Sequence, residues 1–536
     1  MFFKMKKTIA IFLSLCLLLI GNAYSQKNIE KGLNQITPEL LKQYIDYLAS
    51  DSMKGRNTPS RELDLAADYI AKEFESMGIQ KVNGSYYQNI PFCSKNLDVK
   101  NSTLKITLGE SSKDFALKTD FTPFEATANM SISSEVVFAG YGITAKEYNY
   151  DDYKDIDVKG KIVLILKHEP AEKDMKSPFM GDQETKYSFP SYKLENAMNH
   201  GAIGVLLVTD PLNHIMLTPQ GYPWPSLSKL RPQDKLPLDL CINKPSVPFA
   251  QVGESVIKFL FGSIDSLKNI QRRIDQNLKP NSFLITNSKC DLATKLIIHE
   301  TVAKNVVGYI KGRNSKLKSE LLVIGGHYDH VGYKEKHKPD EDYIFNGADD
   351  NASGTAGVLA NAKAFASMKS KPKRSVLFIC FAGEELGLYG SDYYCENPLF
   401  PLNKTVAMLN LDMIARNGND TLYIEGFDKN PDLSKIVLEQ SKIVGLTYIS
   451  SKEDMSNRSD LYNFFKNNIS AIDIWSGMHK DYHMVSDEPK NINSFKAAQI
   501  SRLTFRTAWI VANEKRHYAI VKEKSNTETK KSSTSK

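Results

Sequence analysis

The sequence predicts an α/β protein with a mainly parallel sheet, helices on both faces, and a smaller domain inserted near its N-terminal end. Three observations carry that reading. From Asn305 onward apolar strands alternate with helical patterns, which is how a parallel sheet reads in sequence. Near residue 128 the texture changes to a second set of strands and turns, which lasts to about residue 295. The 536 residues, 41% hydrophobic and 24% charged, suffice for two or three domains and exclude a disordered chain, a collagen repeat or a polytopic membrane protein.

Residues 1–25 read as a signal peptide: Lys4, Lys6 and Lys7, an apolar run from Thr8 to Gly21, then Ala23-Tyr24-Ser25 before Gln26. The apolar run is shorter than the roughly 20 residues that span a bilayer. Export to the periplasm or beyond is expected, with no membrane attachment after cleavage. Residues 26–127 read as the N-terminal part of the main domain. Thr37-Pro38-Glu39 opens a helix with a cap, a first-turn proline and an acid at the positive end. A second helix starts near Ser60, with Leu63, Ala66, Ala67, Ile70, Phe74 and Met77 on one face and Gly78 as its stop. Alternation over 87–124 predicts short strands. Within 128–295, VVFAGYGI, GKIVLILK and GAIGVLLVTDP read as strands, with a helix around 192–199 and loop over 214–247. Residues 296–520 form the main domain. Its strands are NVVGYI, LLVIGG, SVLFICF, TVAMLNLD, TLYIEG and ISAIDIW, and its helices fall near 353–368, 386–395, 432–444 and 494–511. The tail, 521–536, is Lys, Ser and Thr without apolar period and reads as disordered.

The net charge is +7, from 69 basic and 62 acidic residues. Lysines in the leader and tail account for most of it, so the body is nearly neutral and no nucleic-acid partner is expected. After the leader five cysteines remain, Cys93, Cys241, Cys290, Cys380 and Cys395, with no CxxC pair. They exclude a zinc ribbon, leave one or two disulfides open, and leave at least one thiol unpaired within the chain.

The chemistry lies at the strand ends, where such sheets gather their ligands. LLVIGG runs into His327-Tyr328-Asp329, a loop carries Asp349-Asp350-Asn351 into a helix, and SVLFICFAG ends in Glu384-Glu385. TVAMLNL ends in Asp412, and Asp481-Tyr482-His483 precedes the last helix. Each alone has a structural explanation, such as a helix cap. Together they bring two histidines and several carboxylates to one edge. That donor set, without thiolate, suits zinc or a similar divalent ion. It exceeds what one catalytic zinc takes. With one carboxylate bridging, it serves two metals with three ligands each, and a spare glutamate can act as general base.

These stretches resemble the co-catalytic dizinc aminopeptidases, which share a clan with glutamate carboxypeptidases and transferrin receptors. GGHYDHVG, NGADDNASG, FAGEELGLYGS, LNLDMIARNG and DYHMVSDEP occur in the family's order. YLASDSMKGRNTPSRELDLAADYIAKEF resembles the family's opening, and the insert resembles a protease-associated domain. The resemblance implies a zinc-peptidase three-layer sandwich holding two Zn²⁺ per chain and acting on a peptide substrate. It implies His327 and Asp412 on one zinc, Glu385 and His483 on the other, and Asp349 bridging, with a cis Asp349–Asp350 bond. It makes Glu384 the general base and has Asp329 hydrogen-bond His327 to fix its tautomer. It favours an aminopeptidase over a carboxypeptidase, because the chain ends soon after the last sheet helix. It disfavours a receptor-like binding protein, because all ligand positions are present.

Other residues carry weaker expectations. His330 reads as a rim residue, and Tyr482 as either an oxyanion donor or a packed aromatic. In the segment from Asn457 to Leu461, Leu461 stands where the family often has histidine. His168, His200, His214, His299, His337, His479 and His517 read as surface or loop residues.

Overall fold

The computed structural model describes residues 29–181, 183–216, 218–227, 238–241, 246–451 and 453–521. The predicted signal peptide and the tail beyond Val521 lie outside the described residues. Among the described residues no helix is long and apolar enough to cross a membrane. The five described cysteines are all free.

Thr37 and Ser60 start the first two helices as the sequence predicts. The Thr37 hydroxyl accepts the Leu40 N–H and the Ser60 hydroxyl accepts the Leu63 N–H, so each removes a buried-end donor that would otherwise go unpaired. These helices are α1 (Pro38–Leu48) and α2 (Arg61–Ser76). Each buries one stripe, Leu41, Tyr44, Ile45 and Leu48 in α1, and Leu63, Ala66, Ala67, Ile70 and Phe74 in α2.

The chain divides into two compact units, one of residues Met1–Phe92 with Thr301–Lys536 and one of Cys93–Glu300. In the first, the strands and helices follow in chain order: β1 (Tyr87–Leu97), β2 (Leu296–Ile310), β3 (Leu321–His327), α3 (Gly354–Ser367), β4 (Ser375–Phe381), α4 (Tyr389–Glu396), β5 (Thr405–Leu411), β6 (Thr421–Glu425), α5 (Pro431–Ile443), β7 (Thr447–Tyr448), α6 (Leu461–Lys466), β8 (Ala471–Trp475) and α7 (Ser494–Asn513). Both β1 and β2 run past the unit boundary. Across the sheet the order is β1-β2-β4-β3-β5-β8-β6-β7. The centre, β4-β3-β5-β8, is parallel throughout, whereas β2 on β4 and β6 on β8 are antiparallel. Every residue of β3, β4, β5 and β8 is buried. That explains why these strands read as mostly apolar runs, interrupted by the buried Asn410 in β5 and Asp473 in β8, and not as alternation. The predicted helices are found within a few residues of their expected limits, and α6 was not anticipated.

The second unit holds a six-stranded sheet in the order 283–284, 136–138, 162–166, 204–208, 249–252, 121–123, whose four inner strands are mutually parallel. A four-stranded antiparallel sheet of 111–115, 103–108, 288–294 and 130–134 completes it. The division falls at Cys93 and Glu300 and not at 128 and 295. The reason is pairing: strands within 103–123 bond to 249–252 and 288–294, so they belong with the insert's core. Helices Glu254–Phe261 and Ile264–Asn277 in this unit also went unread in the sequence.

Candidate metal centre

The centre of the parallel sheet ends in His327, the last residue of β3, which is 1% exposed. Its Nε2 lies 3.3 Å from Asp412 Oδ1, just beyond β5, and 3.3 Å from Asp350 Oδ1. Glu384 Oε2, just beyond β4, is 3.8 Å away. A second group faces the other oxygen of Asp350. His483 Nε2 is 3.1 Å from Asp350 Oδ2 and 3.1 Å from Glu385 Oε2. His330 Nδ1 is 2.8 Å from Glu385 Oε1. Thus Asp350 presents one oxygen to each cluster.

The expected bridge, Asp349, is not in either cluster. Its Oδ1 accepts the Ser353 hydroxyl at 3.0 Å and the Ala415 N–H at 2.6 Å, and His479 Nε2 lies 3.1 Å from its other oxygen. The loop alternates direction at this point, so of two adjacent aspartates one faces the packed side and the other the cleft. The cis bond likewise falls at Asp350–Asn351 and not at Asp349–Asp350. Asp487 anchors the loop: its Oδ2 accepts the N–H groups of both Asp349 and Asp350, at 3.0 and 3.1 Å. Asn351 ties the same loop to the end of β5, donating to the Leu411 carbonyl and accepting from Gly354 and Met413. Gly354 is required there, since a Cβ would collide with the Leu411 carbonyl and the Asn351 side chain.

Asp329 stands behind His327, but its carboxylate is 3.7 Å from Nδ1, and the close contact of 3.2 Å is with its own backbone carbonyl. The carboxylate instead accepts the Thr58 hydroxyl at 2.9 Å and the Glu384 N–H at 3.2 Å. It therefore orients the Glu384 backbone as well as crowding the imidazole. Asp412 is held by the Ser459 hydroxyl at 2.8 Å. The segment from Asn457 to Leu461 thus supplies a hydrogen bond to a cluster carboxylate, from Ser459.

The charges interlock. Burial pushes the Glu384 carboxyl well above its ordinary range against the pull of His327, and Asp412, Asp460 and Glu385 push the same way. Burial opposes ionisation of Asp350, yet His327 and His483 hold it well below the carboxylate range. Burial disfavours a charged His327, but Glu384 and Asp412 raise it well above neutrality. His483 is pushed up to about 10 by Asp350 and Glu385. The imidazole protons stand where cations would sit.

The residues fit a pair of divalent metals. Zinc bonds of about 2.0–2.2 Å in tetrahedral array set neighbouring donors roughly 3.3–3.6 Å apart. The contacts around His327 and His483 lie close to that spacing. His483 Nε2 and His330 Nε2 are buried and make no hydrogen bond. His330, expected on the rim, is 1% exposed and directed at Glu385. The cleft beside the clusters is lined by Met413, Met455, Met478, Trp475, Tyr482 and Arg458, with Glu425 and Asp473 among them. Burial raises the Tyr482 phenol above its ordinary value, reinforced by Asp350 and Glu385, so it stays protonated and able to donate.

Sequence reasoning missed Arg56. It is fully buried and donates to the carbonyls of Tyr328, Leu48, Asn346 and Gly347. One guanidinium so joins α1 to two of the loops that carry cluster residues, those of His330 and Asp350. The only signal was its place in a Lys-Gly-Arg turn, which carries no spacing rule.

Residues 305–508 match the profile of Peptidase family M28. The chain is 27% identical over 252 residues to aminopeptidase YwaD of Bacillus subtilis (strain 168), covering 45% of this chain and 51% of that protein. It is 25% identical over 380 residues to a glutamate carboxypeptidase 2 homolog of Caenorhabditis elegans, covering 62% of this chain and 43% of that one. The chain so spans about half the length of these curated relatives. A solved aminopeptidase from Aneurinibacillus sp. strain AM-1 aligns at 20% identity over 93% of this chain and 98% of its own, with a TM-score of 0.44.

Proposed function

Residues 305–508 form a domain of peptidase family M28, and from that premise we propose that the chain is a zinc-dependent exopeptidase that removes the N-terminal residue of peptides. The observation that carries the two-metal reading is Asp350, whose oxygens face His327 with Asp412 on one side and His483 with Glu385 on the other. Those five residues would hold two zinc ions, which supply a polarised carbonyl and an acidified water.

The protein's own groups do the rest. Glu384, whose Oε2 lies 3.8 Å from His327 Nε2 beside the clusters, receives a proton at Oε2 from the attacking water and delivers it to the leaving amine. His330 holds Glu385 through Nδ1 on Oε1, leaving Oε2 toward His483. Asp329 fixes the Glu384 backbone. The Tyr482 hydroxyl, in the cleft, can donate to the developing oxyanion.

Charge supports the N-terminal specificity. Beside Glu384 and the residues that would hold metal, the cleft is lined by two further carboxylates, Glu425 and Asp473, and by one arginine, Arg458. An ammonium group is matched there, and the methionines and Trp475 offer an apolar wall to the first side chain. Arg458 is the one feature that favours the alternative, a carboxypeptidase, because it could pair a substrate's terminal carboxylate. The Cys93–Glu300 unit is read as the protease-associated insert, on the strength of its sequence segments. Export rests on the pattern of residues 1–25. The test is a short apolar peptide assayed beside its N-acetylated form. We expect release of the first residue from the free peptide and a rate at least about 100-fold lower for the blocked one, as when a buried charge pair is lost. Equal rates, or shortening from the C-terminus, would transfer the assignment to the Arg458 reading.

A further inference from the structure

Four residues of the Cys93–Glu300 unit form a group that the peptidase reading does not use. The strands 162–166 and 204–208 lie side by side, parallel and in register, with Leu166 opposite Val208. Two residues beyond that pair stand His168 and Asp210. Four residues further along each loop stand Glu172 and His214. Each loop thus supplies one imidazole and one carboxylate, and all four donor atoms lie within 4.8 Å of one another. His168 Nδ1 is 2.5 Å from Asp210 Oδ1 and 3.9 Å from Glu172 Oε2. His214 Nε2 is 2.7 Å from Glu172 Oε1 and 3.7 Å from Asp210 Oδ2.

We propose that these four side chains form a third divalent-metal site, for zinc, at the carboxyl edge of the insert's parallel sheet. Several observations favour a metal over a set of ion pairs. The two imidazole rings stack with centroids 4.0 Å apart and planes at 28°, an arrangement that two imidazolium ions would resist. His214 Nε2 is buried beside Glu172 yet lacks the angles of a hydrogen bond. His168 holds φ at 53°, a left-handed backbone uncommon for a side chain of this size and common at functional positions. Asp210 is fully buried, and its second oxygen is steadied by the Gln271 amide at 3.4 Å, while Gln271 also accepts the Leu212 N–H.

Two imidazoles and two carboxylates suit zinc and not calcium or magnesium, which take oxygen donors. Four protein ligands also close the shell, which marks a structural site with no place left for water. Such an ion would clamp the two loops together, in place of the His168–Asp210 hydrogen bond that joins them here.

The full chain, stripped with chelator and reloaded with zinc alone, gives the test. Anomalous scattering at the zinc edge from crystals of the loaded protein should place a peak between His168, Glu172, Asp210 and His214. Bound zinc per chain should fall by one equivalent in His168→Ala/His214→Ala, whatever number the peptidase centre holds. Peptidase turnover is not the readout, so failure here leaves the peptidase reading standing. Should the double variant misfold, His214→Gln and the wild-type anomalous map still decide. No peak at the four residues with the peptidase centre occupied, or an unchanged zinc count, overturns the proposal and leaves a hydrogen-bonded latch.

Discussion

Two neighbouring aspartates have opposite jobs, and substitution should separate them. Asp350→Asn removes the carboxylate that faces both clusters, so metal bound at those two clusters should fall toward zero, leaving any zinc of the Cys93–Glu300 unit in place. Asp349→Ala leaves Ser353 and the Ala415 N–H without their acceptor, which costs about 1–3 kcal/mol. Its metal content should stay near normal while its melting temperature falls. Metal analysis and thermal denaturation on both variants check this; loss of metal in Asp349→Ala alone would restore the sequence-based assignment. Glu384→Gln should retain metal and lose about 10²- to 10⁴-fold in turnover, since a base is removed and no ligand. A near-normal rate would end that role. The doublet also shows where reading stops. Residue type and order brought His327, Glu384, Glu385, Asp412 and His483 to one edge, but which of two consecutive aspartates faces the cleft depends on the backbone torsions of one loop. His330 and Arg56 were unreadable for a related reason: their partners are fixed by contacts tens to hundreds of residues away.

At the level of elements, caps and buried strands were the readable features because their signals are local. Ser60 illustrates the scale of such a signal. Its hydroxyl accepts the Leu63 N–H at 3.0 Å at the start of α2. Ser60→Ala should cost about 1 kcal/mol, seen as a lower denaturation midpoint with an unchanged slope, and Ser60→Asp should restore most of it. A drop well beyond that range would mean that Ser60 does more than cap. The strands β3, β4, β5 and β8 were legible as mostly apolar runs. Strands 103–108 and 121–123 were also seen, but were assigned to the wrong neighbour. Alternation reveals a strand without revealing its partner, and here the partners lie more than a hundred residues downstream. The helix Ile264–Asn277 was missed because it is strongly polar and buries only Leu267, Gln271 and Ile274.

The whole chain contains two separately cored units, and its unfolding should reflect that. The insert has its own apolar clusters around Ile162–Leu166 and Gly204–Val208, and the peptidase unit has its own around β3, β4 and β5. We expect calorimetry of the metal-loaded protein to show a calorimetric enthalpy larger than the van't Hoff value, with chelation moving the peptidase unit's transition downward. Equal enthalpies under all conditions would instead mean one cooperative block.

The chain leaves the peptidase unit at Phe92, on β1, and returns at Thr301, on β2, its neighbour in the sheet. A tight turn between adjacent strands could join those two points, since strands in a sheet sit only about 5 Å apart. The 208 residues between them are therefore, in topological terms, a cassette plugged into a hairpin. Such a cassette can be acquired, exchanged or deleted without rerouting the strands that carry His327, Glu384 and Asp412, so the chemistry and the accessory module are free to diversify on separate histories.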